Sequence, residues 1–116
     1  MADELRIEVV VSAPFAENTW IVWRAGGKEC LIVDPGFQPE RILQLVQSRK
    51  LLPALILLTH GHVDHIAGNA RLKQEWPGVP LVIGKGDAHM LSDARANLSF
   101  LGGQSVVSPP ADRLVT

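Results

Sequence analysis

Four side chains that can bind a metal ion are crowded into six positions of this 116-residue sequence. His60, His62, Asp64 and His65 lie in the stretch T-H-G-H-V-D-H, which holds three of the four histidines of the chain. Imidazole nitrogens and carboxylate oxygens are the ligands that zinc and related divalent ions prefer. Because side chains two positions apart in an extended backbone project to the same side, His60 and His62 can share one ion. This spacing predicts a metal site.

The ligand types favour an open, catalytic site over a closed, structural one. Structural zinc sites are usually closed by four ligands that include thiolates, and the chain has a single cysteine, Cys30. The alternative is a histidine-rich surface loop whose imidazoles are solvated or bonded to the backbone. The cluster directly follows the apolar run Ala54 to Leu58, however, which places it at the tip of a rigid element, where catalytic groups are usually held. We therefore expect water and residues elsewhere to complete the coordination.

Apolar patterns along the chain predict a layered domain that mixes strands and helices. The first three predicted strands form an antiparallel meander, and the strand before the histidines is apolar on both faces, as a buried strand would be. The predicted strands are 7–11, 19–23, 30–33, 54–58, 81–83 and at most one more at 104–107, and the predicted helices are 39–50, about 65–76 and 86–93.

Composition excludes several classes of function. Eleven basic residues balance 12 acidic ones without a basic run, so a nucleic-acid partner is not expected. Apolar runs are too short to cross a membrane, and the polar N-terminus does not resemble a signal peptide. The lone Cys30 fits a reducing compartment and an inert, buried thiol, and His89 is interpreted as an exposed helical residue without a role. A cytoplasmic protein is predicted.

Three segments together resemble the metallo-β-lactamase superfamily. Residues Thr59 to Gly68 resemble its T-H-x-H-x-D-H-x-x-G signature. In the same order and at similar distances, Asn18-Thr19-Trp20 resembles an early N-x-aromatic segment and Val33-Asp34-Pro35-Gly36 resembles a V-D-P-G turn. The likeness is greatest to the hydroxyacylglutathione hydrolase (glyoxalase II) branch and its small single-domain relatives.

This resemblance implies an α+β fold, the four-layer αββα sandwich, with a dinuclear metal site at one edge of its paired sheets. By position, His60 and His62 would bind the first ion, and Asp64 and His65 the second. Zn²⁺ is the expected metal, with Fe or Mn as alternatives. Asp34 would lie beneath the metals and orient a ligand, although it could also be a plain turn residue before proline. Asn18 fits a simple loop role as well as a site contact.

The resemblance also implies a reaction, the hydrolysis of thioesters or related esters by a metal-bound hydroxide. Asp64 could hold an ion and orient or accept a proton from that nucleophile. No G-x-S-x-G elbow and no plausible nucleophilic cysteine occur, so water is the expected attacker. A mononuclear iron persulfide dioxygenase of the same superfamily is one alternative, and an inactive metal-binding fragment is another. The substrate-binding residues are not predicted.

The family's remaining ligands have no match in this sequence. They are a third histidine, a bridging aspartate and a further histidine, and they come from the second half of the family's domain. Residues 1–116 are therefore expected to be the N-terminal part of a single domain. Half of a sandwich exposes the sheet face that the other half would bury, which predicts self-association or pairing with a C-terminal half.

Overall fold

A single six-stranded sheet organises the computed structural model, which describes residues 4–14, 16–103 and 105–116. The strands lie side by side in chain order. They are β1 (Leu5–Ser12), β2 (Glu17–Arg24), β3 (Glu29–Val33), β4 (Leu52–Leu57), β5 (Leu81–Gly84) and β6 (Arg113–Val115). The first three pair antiparallel, which confirms the predicted meander, whereas β3 to β6 pair parallel.

This mixed pairing brings distant segments to one edge of the sheet. The carboxyl ends of the parallel strands β3 and β4 point the same way, so Asp34 and the histidine-bearing loop that begins at Thr59 emerge together. Strand β2 runs antiparallel to β3, with Trp20 opposite Val33, and its first residue, Glu17, therefore reaches the same edge.

Short helices connect the strands of the parallel half. Pro39 starts the first helix. Proline suits this position because the first N–H groups of a helix have no partner within the helix, and proline has no N–H. The apolar residues that follow face the sheet. The helices are α1 (Pro39–Ser48), α2 (Val63–Ile66) and α3 (Asn69–Glu75), with 3-10 helices at Lys85–Ser92 and Ser99–Gly102.

The helices cover one face of the sheet and form the core with it. Side chains that alternate along the strands meet others from α1, α2, α3 and the first 3-10 helix, which gives one helical layer on one sheet layer. The buried core contains Val10, Ile21, Cys30, Ile32, Ile42, Leu43, Val46, Leu51, Ile56, Leu58, Ile66, Leu72, Leu81, Ile83 and Leu91. The described residues therefore supply two of the four layers of the predicted sandwich.

The opposite face of the sheet is apolar and open to solvent. Cross-strand partners such as Ile7 with Val22 and Val9 with Trp20 place apolar side chains next to one another on this side. We call this surface the open face. Its exposed members are Leu5, Ile7, Val9, Val11, Trp20 and Leu31.

Two details differ from the sequence prediction. The helix expected from about 65 to 76 is two helices, because the N–H of Gly68 donates to the Pro35 carbonyl and the backbone breaks there. No strand forms at residues 105–107, whereas Gln104 lies outside the described residues. The last strand is instead β6, whose exposed residues carry no apolar alternation of their own and are extended by pairing with β5.

Candidate metal centre

The loop that follows β4 holds the three clustered histidines at the sheet edge. The ring of His60 lies with its centroid 4.9 Å from that of His62 and 4.0 Å from that of His65. Gly61 between the first two is buried, and a Cβ there would meet the Met90 side chain at 2.6 Å, so the loop depends on glycine for this close approach. His62 directly precedes α2, and Asp64 and His65 lie within that helix.

Asp34 is the buried anchor of this loop. Its backbone has a left-handed φ of 56°, a conformation that few residues other than glycine adopt and that aspartate tolerates better than most. Its carboxylate accepts hydrogen bonds from the Thr59 N–H at 2.8 Å and the Thr59 hydroxyl at 2.6 Å. The second oxygen also lies 3.0 Å from Nδ1 of His65. Asp34 therefore ties β3 to the loop after β4 and to the first residues of α2.

A second carboxylate, that of Glu17, lies beneath the same histidine. Its side chain is 1% exposed, and Oε2 lies 3.4 Å from Nδ1 of His65. Thr19, two positions along β2, donates its hydroxyl to the Asp34 carbonyl at 2.8 Å and accepts from the Gly36 N–H at 3.2 Å. Strand β2 thus contributes two inward-facing polar side chains to the base of the site.

The donor atoms fit a divalent cation. Asp34, His60 and His65 each offer a ligand atom, and these three atoms lie within 4.8 Å of one another. Asp64 extends the group, since its carboxylate lies 3.5 Å from Nε2 of His65. Nitrogen and carboxylate donors gathered this closely are the set that zinc, iron and manganese take.

Electrostatics of the site also favour a bound cation. Burial, together with the charges of Asp34 and Asp64, raises the pKa of Glu17 to about 8. Burial and the neighbouring His65 and His62 lower the pKa of His60, which keeps this imidazole neutral and able to bind metal. Within the described ranges, the imidazole of His65 is the only basic side chain in ion-pair range of Glu17, Asp34 and Asp64. A divalent cation would balance the negative charge of Asp34 and Asp64, which already disfavours ionisation of Glu17.

The structure brings the predicted site residues to one place. His60, His62, Asp64 and His65 are linked through ring contacts and the Asp64–His65 contact, and Asp34 touches His65 directly. Their assignment to individual ions stays a prediction.

Three other residues discussed from the sequence, Cys30, His89 and Asn18, lie outside the predicted cluster. Cys30 is buried, as predicted, and burial raises its pKa to about 11, which makes the thiol inert. His89 is exposed in a 3-10 helix, also as predicted. Asn18 is exposed, and its alternation with Glu17 and Thr19 turns it to the other face of the sheet.

Glu17 is the site residue that the sequence interpretation missed. The predicted strand began at Thr19, whereas β2 begins two residues earlier, at Glu17. Alternation from the core residue Ile21 back through Thr19 would have placed Glu17 on the inward face. An acidic residue at an inward position was the available signal.

Comparison with known proteins gives the family of the chain. The family model described as the metallo-beta-lactamase superfamily matches residues 13–115. The chain belongs to this superfamily. Its α+β fold agrees, since the crystal structure of the BLEG-1 B3 metallo-beta-lactamase superposes with a TM-score of 0.88 at 28% identity, over 96% of this chain and 53% of that one.

Two further similar proteins indicate which members of the superfamily the chain resembles. A hydroxyacylglutathione hydrolase of Xanthomonas euvesicatoria pv. vesicatoria (strain 85-10) is 44% identical over 89 residues, which are 76% of this chain and 34% of the relative. The crystal structure of TTHA1623 in a di-iron-bound form gives a TM-score of 0.77 at 31% identity, over 94% of this chain and 54% of that one. The chain thus spans about half of these solved structures and about a third of the Xanthomonas enzyme.

Among the helices of the described residues, none has the length and apolar character needed to cross a bilayer.

Proposed function

We propose that the chain carries one side of the active centre of a metal-dependent hydrolase that acts on thioesters or related esters. The observation that supports this most strongly is the convergence of Asp34, His60 and His65 at one sheet edge, with donor atoms within 4.8 Å of one another. The 44% identity to a hydroxyacylglutathione hydrolase supports a thioester substrate in particular.

The residues have distinct proposed roles. His60 and His62 hold one ion, and Asp64 and His65 hold a second. Bound divalent ions would supply polarisation of the substrate carbonyl and activation of the attacking water. Asp64 is the proposed catalytic residue, because its half-buried carboxylate lies beside His65 and can take a proton from that water. Asp34 fixes the imidazole of His65 through Nδ1.

Zinc is the proposed metal, with iron or manganese as alternatives. Neutral imidazoles and carboxylates without a thiolate suit all three ions, and the neighbour TTHA1623 was crystallised in a di-iron-bound form. Metal analysis of the purified chain therefore tests the centre first. We expect up to two ions, predominantly zinc, in the wild type. A single iron per chain would favour the persulfide dioxygenase alternative.

Replacing a single histidine tests whether the cluster binds the metal. In His60→Ala we expect zinc affinity to fall at least about tenfold, because one donor of the group is lost. His89→Ala is the matched control, since His89 is exposed on a 3-10 helix and should leave zinc binding unchanged. Equal affinity in His60→Ala and wild type would contradict the proposed centre.

Hydrolysis of S-lactoylglutathione by the zinc-loaded chain tests the reaction itself. Turnover that Asp64→Asn abolishes, with zinc still bound, would support the thioesterase assignment. Zinc binding without turnover would support the alternative of a metal-binding fragment that needs a second half.

The open face supports a second proposal, about partners. We propose that a second β-sheet covers it, supplied by a C-terminal half of the fold or by another copy of this chain. The exposed apolar side chains on neighbouring strands would be buried by such a sheet. The chain spans only 53% of the BLEG-1 structure, which leaves length in that neighbour for the additional layers. We also propose a cytoplasmic location and neither a nucleic-acid nor a membrane partner.

A further inference from the structure

Glu17 is a buried acid that the proposed reaction does not use. Its side chain is 1% exposed, and no hydrogen-bond partner is found for its Oε2 among the described residues. Burying a carboxylate without a partner is costly, so an orphaned oxygen of this kind needs an explanation. Nδ1 of His65 lies 3.4 Å from this oxygen.

The surroundings hold Glu17 in this position. Its other oxygen, Oε1, lies 3.4 Å from the Thr19 hydroxyl. Gly36 leaves the space that the carboxylate occupies, because a Cβ at that position would collide with Oε1. Glycine at position 36 therefore leaves room for the Glu17 carboxyl group below His65.

Two carboxylates consequently face the same ring nitrogen. Asp34 Oδ2 lies 3.0 Å from Nδ1 of His65, on the side where Glu17 also lies, while Nε2 of the same ring is 3.5 Å from Asp64. A proton held on Nδ1 leaves Nε2 unprotonated and free to bind a cation. Asp34 is already shared with the Thr59 N–H and hydroxyl, whereas within the described part of the chain Glu17 Oε2 has no hydrogen-bond partner.

We propose that Glu17 is a positioning residue, which together with Asp34 holds the Nδ1 edge of His65 so that Nε2 faces the metal centre. Metal-ligating histidines commonly have such a carboxylate behind them, and losing one typically weakens metal binding by about 10- to 100-fold. This inference rests on the metal centre of the proposed function and is independent of the substrate.

Glu17→Gln in the full chain tests the role. Glutamine keeps the shape of the side chain and replaces the carboxyl group by an amide, which cannot ionise. We expect zinc affinity, measured by competition with a chromophoric chelator, to fall by about 10-fold or more. In the metal-free protein, nitrogen-15 NMR of the His65 ring should show an increased share of the Nε2–H tautomer. Glu29→Gln is the matched control, because Glu29 is exposed at the opposite end of β3 and should change neither readout.

Both readouts unchanged in a folded Glu17→Gln protein would overturn the proposal and leave Glu17 as a structural carboxyl group of the core. If that variant does not fold, Glu17→Asp replaces it, since aspartate keeps the carboxyl group but withdraws it from His65 by one methylene. A shifted His65 ring signal with a smaller loss of zinc affinity supports the role, and wild-type values for both overturn it. Should the wild-type chain bind no zinc, the proposed function fails, whereas the His65 ring signal still decides this inference.

Discussion

The two faces of the sheet are both apolar, yet only one of them is covered. On the covered face, Ile21 and Ile32 are fully buried beneath the helices. On the open face, Ile7 is 55% exposed and Val9 is 40% exposed, although both are as hydrophobic as their buried counterparts. The difference in burial therefore reflects which layers the chain contains and not the composition of its strands.

The candidate metal centre uses side chains of the covered face. Its described donors come from the ends of β3 and β4 and from α2, and the polar side chains beneath it, Glu17 and Thr19, project to the covered face. The described residues thus form the helical side of the candidate centre.

The largest change in stability should come from truncating a side chain on the covered face. We expect Ile21→Ala to lower the free energy of unfolding by about 2–5 kcal/mol, because it leaves a cavity in a core where Ile21 has no exposed surface. Ile7→Ala makes the same chemical change on the adjacent strand and on the open face, so it should cost less than about 1 kcal/mol. Urea denaturation of the metal-free chain measures both values.

Similar losses in the two variants would mean that the open face is already covered in solution. Repeating the denaturation at several protein concentrations would identify self-association as the reason, since only an associated state makes the midpoint depend on concentration.

A smaller effect should arise at the base of the metal centre and should depend on pH. The raised pKa of Glu17, about 8 against an ordinary 4.5, means that the folded chain keeps a proton that the unfolded chain releases in this window. Stability from this group is complete below pH 4.5 and is lost as pH rises through 8. Metal-free Glu17→Gln, which does not titrate, should therefore gain about 1–3 kcal/mol over wild type between pH 5 and 8.

Urea denaturation in EDTA across that pH range measures the gain. Glu29→Gln removes an exposed acid from β3 and should follow the wild-type curve. A Glu17→Gln curve parallel to wild type would show that burial does not perturb this carboxyl group.

Much of the fold and of the candidate site could be predicted from the sequence. The predictions are correct where local sequence patterns and tertiary structure agree. The meander and the first helix follow from alternation, from periodicity and from Pro39, all of which are local signals. The clustering of His60, His62 and Asp64 at the end of β4 follows from ligand spacing after an apolar run. The superfamily, too, could be identified from short motifs, and the comparisons confirm it.

The features that the sequence did not reveal depend on contacts between distant segments. The helix breaks at Gly68 because its backbone bonds to Pro35, more than thirty positions away. Strand β6 has only three exposed residues and exists through pairing with β5. Glu17 is part of the site because β2 continues to the edge where β3 ends, and only sheet register shows this.

The smallest change in stability should accompany a charge placed on the open face. Val9→Lys should alter the free energy of unfolding by less than about 1 kcal/mol. Val9 is partly exposed, and it lies on β1, the outermost strand of the sheet. It should nevertheless lower self-association in sedimentation velocity, since a lysine there would be buried by any second sheet. Gln47→Lys adds the same charge at an exposed position of α1 and should leave association unchanged. Association that persists equally in both variants would place the contact elsewhere, and the open face would then need another explanation.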